Sequence, residues 1–147
     1  MGRLGLTEII LILIVFGIMI IPQIFYLITL QKTIKEVSVE NQKIQPNQVW
    51  LTLIPLFGLI WQFIMVSRVA LSLQAEFKKR NINIVEEKPG YSIGLTYCTL
   101  FCCSIIPVLG VLAGIGGLVC WVIYWVKINN YKTVLETREN INNIGIE

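Results

Sequence analysis

The sequence has no histidine, and only 14% of its residues are charged. Histidine is the side chain that most readily moves protons near neutral pH, and it is the commonest metal ligand. An ordinary soluble chain carries about 25% charged residues, and 14% is too few to cover a particle of 147 residues. That shortage argues against a water-soluble monomer. The four cysteines, Cys98, Cys102, Cys103 and Cys120, lack the spacing of a zinc site. Small-residue packing is their plain reading, with a disulfide or a metal as the alternative. No nucleophile stands beside a base. No catalytic residue, cofactor or resident metal is therefore expected, and the chain is not read as an enzyme.

What the chain does have is apolar length, with 55% of its residues hydrophobic. A hydrocarbon core of about 30 Å takes about 20 apolar residues in a helix. The first such run is 6–30, whose only charge is Glu8, and the second is 49–73, with Arg68 near its end. The third, 92–128, meets no charge before Lys127. As one helix it would extend about 55 Å, beyond any bilayer core. Pro107 and Gly110 divide it into 92–106 and 108–128, a tight helical hairpin. The predicted fold is all-α: an integral membrane four-helix bundle, one domain over 1–147, with cytoplasmic helical extensions at 74–80 and 129–139. The N-terminal run is too long for a signal peptide and no small-residue cleavage site follows it, so it reads as an uncleaved anchor.

Four alternating spans put the N-terminus, the middle loop and the C-terminus on one side. That side would hold Arg3, Lys78, Lys79, Arg80, Lys88, Lys127, Lys132 and Arg138, against Lys32, Lys35 and Lys43 in the first loop. By the excess of Lys and Arg, both termini are expected in the cytoplasm. The first loop, 31–48, is expected to be a polar outer connection.

IPLFGLI at 54–60 returns as IPVLGVL at 106–112, 52 residues later. Proline suits a first helical turn because its missing N–H has no partner there, and a glycine three residues on permits close contact. A duplicated hairpin and a chance likeness of two Pro-led helices both remain open. Pro22 lies inside the first run and is expected to kink it.

Four features could carry contacts. Arg68 snorkels to the cytoplasmic headgroups, forms an interhelical ion pair with Glu8, or contacts a substrate or ion. Gln62, near mid-depth, is expected to make an interhelical polar contact. Gly110, Ala113, Gly114 and Gly117 form a small-residue strip, expected to dock on the preceding helix or on another copy. Lys78, Lys79 and Arg80 are expected to touch an anionic leaflet, each worth about 1 kcal/mol. Three charges pinned at a membrane do not read as a nucleic-acid site.

The blocks WLTLIPLFGLIWQFIMVSRVALSLQAEFKKR at 50–80 and GLTYCTLFCCSIIPVLGVLAGIGGLVCWVIYWVKINNYK at 94–132 carry a resemblance. They resemble an uncharacterised family of small bacterial multi-pass (tetraspan) inner-membrane proteins. The match rests on Trp50, Ile54-Pro55, Phe57 and Trp61, on Ser72-Leu73 and Glu76-Phe77, and on the run Tyr124–Lys127. Asn is common in that family where this chain has Gly58 and Gln62. The resemblance implies a bacterial inner (cytoplasmic) membrane protein and brings no activity with it. Two functions follow as expectations: an interaction or accessory module, and alternatively a homo-oligomeric channel or small transporter. The expected partners are the bilayer with its anionic cytoplasmic leaflet, and a further copy or another membrane protein.

Overall fold

The computed structural model describes residues 5–145 apart from Pro55 and Val108. Arg3 and the leading proline of the first repeat copy therefore lie outside the described residues, as does the expected first residue of the fourth span. Four helices make up most of the rest: α1 Leu6–Lys35, α2 Phe57–Lys79, α3 Tyr91–Cys103 and α4 Gly110–Ile144. Two short 3₁₀ segments, Val39–Asn41 and Pro46–Leu53, lie between α1 and α2. No strand occurs among the described residues. By length and composition, α2 and α4 are each able to cross a membrane, and α3 is a shorter apolar helix.

The helices follow the apolar runs, with shifted ends. α1 starts where the Glu8 carboxylate accepts the N–H of Gly5 at 3.1 Å, which satisfies one of the donors a helix start leaves free. It runs through Pro22 without breaking. At its far end the Gln42 amide donates to the carbonyls of Ile34 in the last turn and Val37 just beyond it, at 3.0 and 2.8 Å. The two expected extensions are continuous with their spans, α2 reaching Lys79 and α4 running unbroken to Ile144. The expected second span begins late: its first residues belong to the 3₁₀ segment, and α2 starts at Phe57 after a left-handed Leu56.

The direction of the helices corrects the alternating order. Arg80, just past the end of α2, donates to the Glu36 carbonyl past the end of α1 and to Leu135 in α4, at 3.0 and 3.1 Å. Trp125 of α4 donates to Thr29 of α1 at 2.9 Å, and Phe77 of α2 meets Tyr131 of α4 at 5.7 Å between ring centroids. Thus α1, α2 and α4 run the same way. α3 runs against them: Gly90 and Gly94 at its start rest on Tyr124, while Leu100 and Phe101 reach Gly116 and Gly117.

Two parallel neighbours need a return, and the segment from Glu36 to Ile54 supplies it. Ser38 meets Glu76, the N–H of Lys43 donates to Ser72 at 2.8 Å, and Thr52 comes against Met65 and Gly58. The first loop is therefore no outer connection. It folds back along α2, with Ile44, Val49 and Thr52 buried. Its main 3₁₀ segment has eight residues and covers about 16 Å at about 2 Å per residue. Consequently the described start of α1 and the end of α4 lie at opposite ends of the bundle, in place of the expected shared side.

The core is aromatic. Tyr26, Tyr97 and Tyr124 are fully buried among Leu27, Leu30 and Met65. Tyr26 packs edge-on against Trp121 at 5.4 Å and shares a 3.0 Å hydrogen bond with the Tyr97 hydroxyl.

The two repeat copies close in the same way. A Cβ on Gly58 would stand 2.1 Å from the carbonyl oxygen of Thr52; one on Gly110 would stand 2.5 Å from that of Ser104. Both glycines and both hydroxyl residues are separated by the repeat spacing. At each copy only a hydrogen fits between the incoming carbonyl and the helix that follows.

Candidate functional site: a charge-sorted end

Every Lys and Arg among the described residues lies in the half of the bundle that runs from Arg68 through the ends of α1, α2 and α4. The opposite end, made by the first turns of α1, α2 and α4 and the last of α3, has one formal charge among the described residues, Glu8. Lys32 and Lys35, in the last turn of α1, join Lys78 and Lys79 because α1 and α2 are parallel.

Two carboxylates organise this basic end. Glu76 is fully buried on the inner face of α2. It accepts from the Ser38 N–H and hydroxyl at 3.1 and 3.0 Å, and from Asn41 and Arg80 at 2.7 Å each. Burial pushes its carboxyl up, but the bonds from Asn41, Arg80 and Ser38 outweigh burial and hold it below the ordinary carboxylate value. With its remaining donors on Glu36 and Leu135, Arg80 ties three chain segments through one guanidinium, a geometry a lysine cannot copy. The second carboxylate, Glu86, accepts from the Gly90 N–H at 2.8 Å, from Tyr131 at 3.2 Å and from Lys127. It too is held low, because those bonds, Lys127 first, outweigh its burial. Burial and the nearby Glu86 charge push the Tyr131 hydroxyl up to about 12.

A third carboxylate is in the contrary situation. Glu36 lines a cleft of about 340 Å³ with Glu136 and Glu139. Burial, then repulsion from those two, raises its carboxyl above the usual value.

The residues singled out in the sequence divide. The small-residue strip docks within the chain: Gly110 and Gly114 face Ser104, Gly117 faces Leu100 and Phe101, and Ala113 is half-buried beside them. Glu8 and Arg68 are not brought together. Counted back along the parallel helices from the Glu36–Arg80 contact, they stand roughly 24 Å apart along the axis. Glu8 caps its own helix, and Arg68 lies exposed on the stripe Ile60, Ile64, Arg68 and Leu71. Gln62 is half-buried, and no interhelical hydrogen bond joins it to the described residues. Its neighbour Trp61 makes the contact instead, donating to the Gln48 carbonyl at 2.9 Å.

The basic triplet also splits. Lys78 is exposed, and Lys79 pairs with Glu40 at the surface. Arg80 is turned inward and is a clamp rather than an outward contact. Sequence reasoning missed Glu76, although its place four residues before Arg80 is the spacing at which a helix pairs opposite charges. All four cysteines are free, with Cys98 buried beside Tyr97.

No family model matches this chain, and neither a curated protein nor a solved structure matches it.

Proposed function

We infer that this chain is a small multi-pass protein of the bacterial inner membrane, working as an interaction or accessory module with its basic end in the cytoplasm. One observation carries the reading: the sorting of charge. The described Lys and Arg gather in one half, as the excess of basic residues on cytoplasmic faces requires. The other half presents large exposed apolar side chains, among them Ile60, Val111, Leu112, Ile115 and Val119. Such a belt is costly in water and natural in lipid. In this arrangement the C-terminus is cytoplasmic and the start of α1 faces the other side. The exposed cations Lys32, Lys35 and Lys78 would meet the anionic leaflet.

A channel or small transporter is the second reading, supported by the matched closures at Gly58 and Gly110. It would need several copies, since the middle of a single chain is filled by Tyr26, Tyr97, Tyr124 and Trp121. The module predicts purification with one specific membrane protein and no ion flux from loaded vesicles. A stable ring of copies that conducts would sink it in favour of the channel. For orientation, a membrane-impermeant maleimide should label a cysteine placed at Lys78 only after the cytoplasmic face is opened. Labelling of that cysteine from outside intact cells would reverse the assignment.

A further inference from the structure

The return between α1 and α2 is stretched between two anchors. At the basic end the N–H of Lys43 is held by the Ser72 hydroxyl at 2.8 Å. At the bare end the Thr52 carbonyl fills the space left by the missing Cβ of Gly58. Ser72 and Gly58 stand fourteen residues apart on α2, about 21 Å along its axis. Nine residues lead from Lys43 to Thr52. As an α-helix they would cover about 14 Å, and as a 3₁₀ helix about 18 Å; the extended Gln45 supplies the remainder. An α-helical return therefore cannot hold both anchors.

The local structure obeys that distance. Pro46–Leu53 is 3₁₀ over eight residues, whereas the poorer hydrogen bonds of that helix usually limit it to about three or four. Its three-residue turn puts Val49 and Thr52 on one face, and these two are the buried ones. The Trp61 indole, donating to the Gln48 carbonyl at 2.9 Å, fastens the middle. Just beyond the segment Leu56 is held at φ 64°, a strained conformation for a residue with a side chain. The residues themselves do not forbid an α-helix: the one proline, Pro46, stands at the first position, where an α-helix accepts it too.

We propose that this return is a strap under tension that couples the two ends of the bundle, with a shorter α-helical state open to it whenever one anchor lets go. While both anchors hold, each pulls on the other through the 3₁₀ turns. Release at Ser72 lets Pro46–Leu53 shorten by about 4 Å, and the Thr52 carbonyl then rests on Gly58 without load. Release at Gly58 does the same for the contact at Ser72. Whatever displaces one anchor thereby tightens the other, about 21 Å away.

Unfolding of the full chain in detergent, in a cycle of Ser72→Ala and Gly58→Ala, tests the tension. Each single substitution breaks one anchor and also relieves the strap. The relief is thus counted twice in the product of the single effects and once in the double variant. The unfolding constant of the double variant should therefore exceed that product by about fivefold. Sites this far apart otherwise multiply to within about twofold. Ser72→Ala combined with Gly110→Ala, where the incoming chain is the end of α3 and no strap is present, should do so. NMR contacts between an α-proton and the amide four residues on mark an α-helix. They should be missing from Pro46–Leu53 in the unaltered chain and present in each single variant. Where Ser72→Ala does not fold, Ser72→Cys, a weaker acceptor, takes its place. The product rule obeyed by both pairs, an equal excess in both, or a segment that stays 3₁₀ in the single variants overturns the strap.

Discussion

The two ends of the bundle are fastened by different chemistry. At the basic end, buried or half-buried carboxylates gather backbone and side-chain donors from several segments. At the opposite end there is no such cluster among the described residues. There the chain is closed by glycines pressed against backbone carbonyls. A buried charge holds a fold only when all its partners are present, whereas steric closure needs no solvent and no charge. Each device sits where its physics is cheapest: hydrogen-bonded charge beside the exposed polar segments, and bare backbone contact among apolar ones.

Removing the hub of the polar end should have the largest effect. Glu76→Ala leaves the Arg80 guanidinium, Asn41 and Ser38 without their acceptor, and should cost about 3–5 kcal/mol in denaturant unfolding in detergent. A loss below 1 kcal/mol would mean that the polar fastening is ornamental, and the contrast between the ends would collapse. Next comes the steric end. Gly58→Ala and Gly110→Ala each force a methyl into a carbonyl oxygen and should cost about 2–3 kcal/mol, while Gly114→Ala should stay within about 0.5 kcal/mol. Equal costs at all three glycines in the same unfolding assay would show that helix propensity, and not closure, sets the penalty.

The smallest effect is titration, which should touch only the polar end. Glu76 and Glu86 have folded-state values below the ordinary 4.5. Their contribution is complete above about 4.5 and is lost as the pH falls through their lowered values. Glu36, held above 4.5, acts in the other direction: the fold favours its neutral form, so raising the pH through its folded value removes some stability. Melting followed from neutral pH to below 4 should therefore show an acid loss that shrinks in Glu76→Gln, and a small gain near neutral pH in Glu36→Gln. A Glu76→Gln profile parallel to that of the unaltered protein would remove Glu76 from the account.

The helices were legible because 20-residue apolar runs and a Pro-x-x-Gly break have few other readings. Gly117 lies against Leu100 and Phe101 of α3, and Gly110 and Gly114 against Ser104 just past its end; small residues at that spacing leave a flat face. The direction of α2 was not. Alternation is the simplest way to thread successive spans, and it hides a return made of 3₁₀ turns. Val49, Trp50, Leu51 and Leu53 read as the start of a helix because hydropathy measures burial and not handedness or rise. The Glu8–Arg68 pairing failed with that assumption, since similar depth in antiparallel helices becomes opposite depth in parallel ones. Glu76 escaped because a carboxylate in a charged stretch looks solvated; only the three-dimensional return of Ser38 and Asn41 makes it buried.

The reach of the Arg80 guanidinium also sets an order of assembly. Its acceptors come from residues 36, 76 and 135, so the clamp on the end of α1 waits for α4 to be synthesised. Until Leu135 arrives, the ends of α1 and α2 share a hub with one arm unfilled, and Tyr26 lacks the ring contacts of Trp121, Tyr124 and Trp125. Contacts of such long sequence separation form late. The nascent N-terminal portion is thus committed to a partner that has not yet been made, and α4 acts as the last piece that turns a loose set of helices into one body.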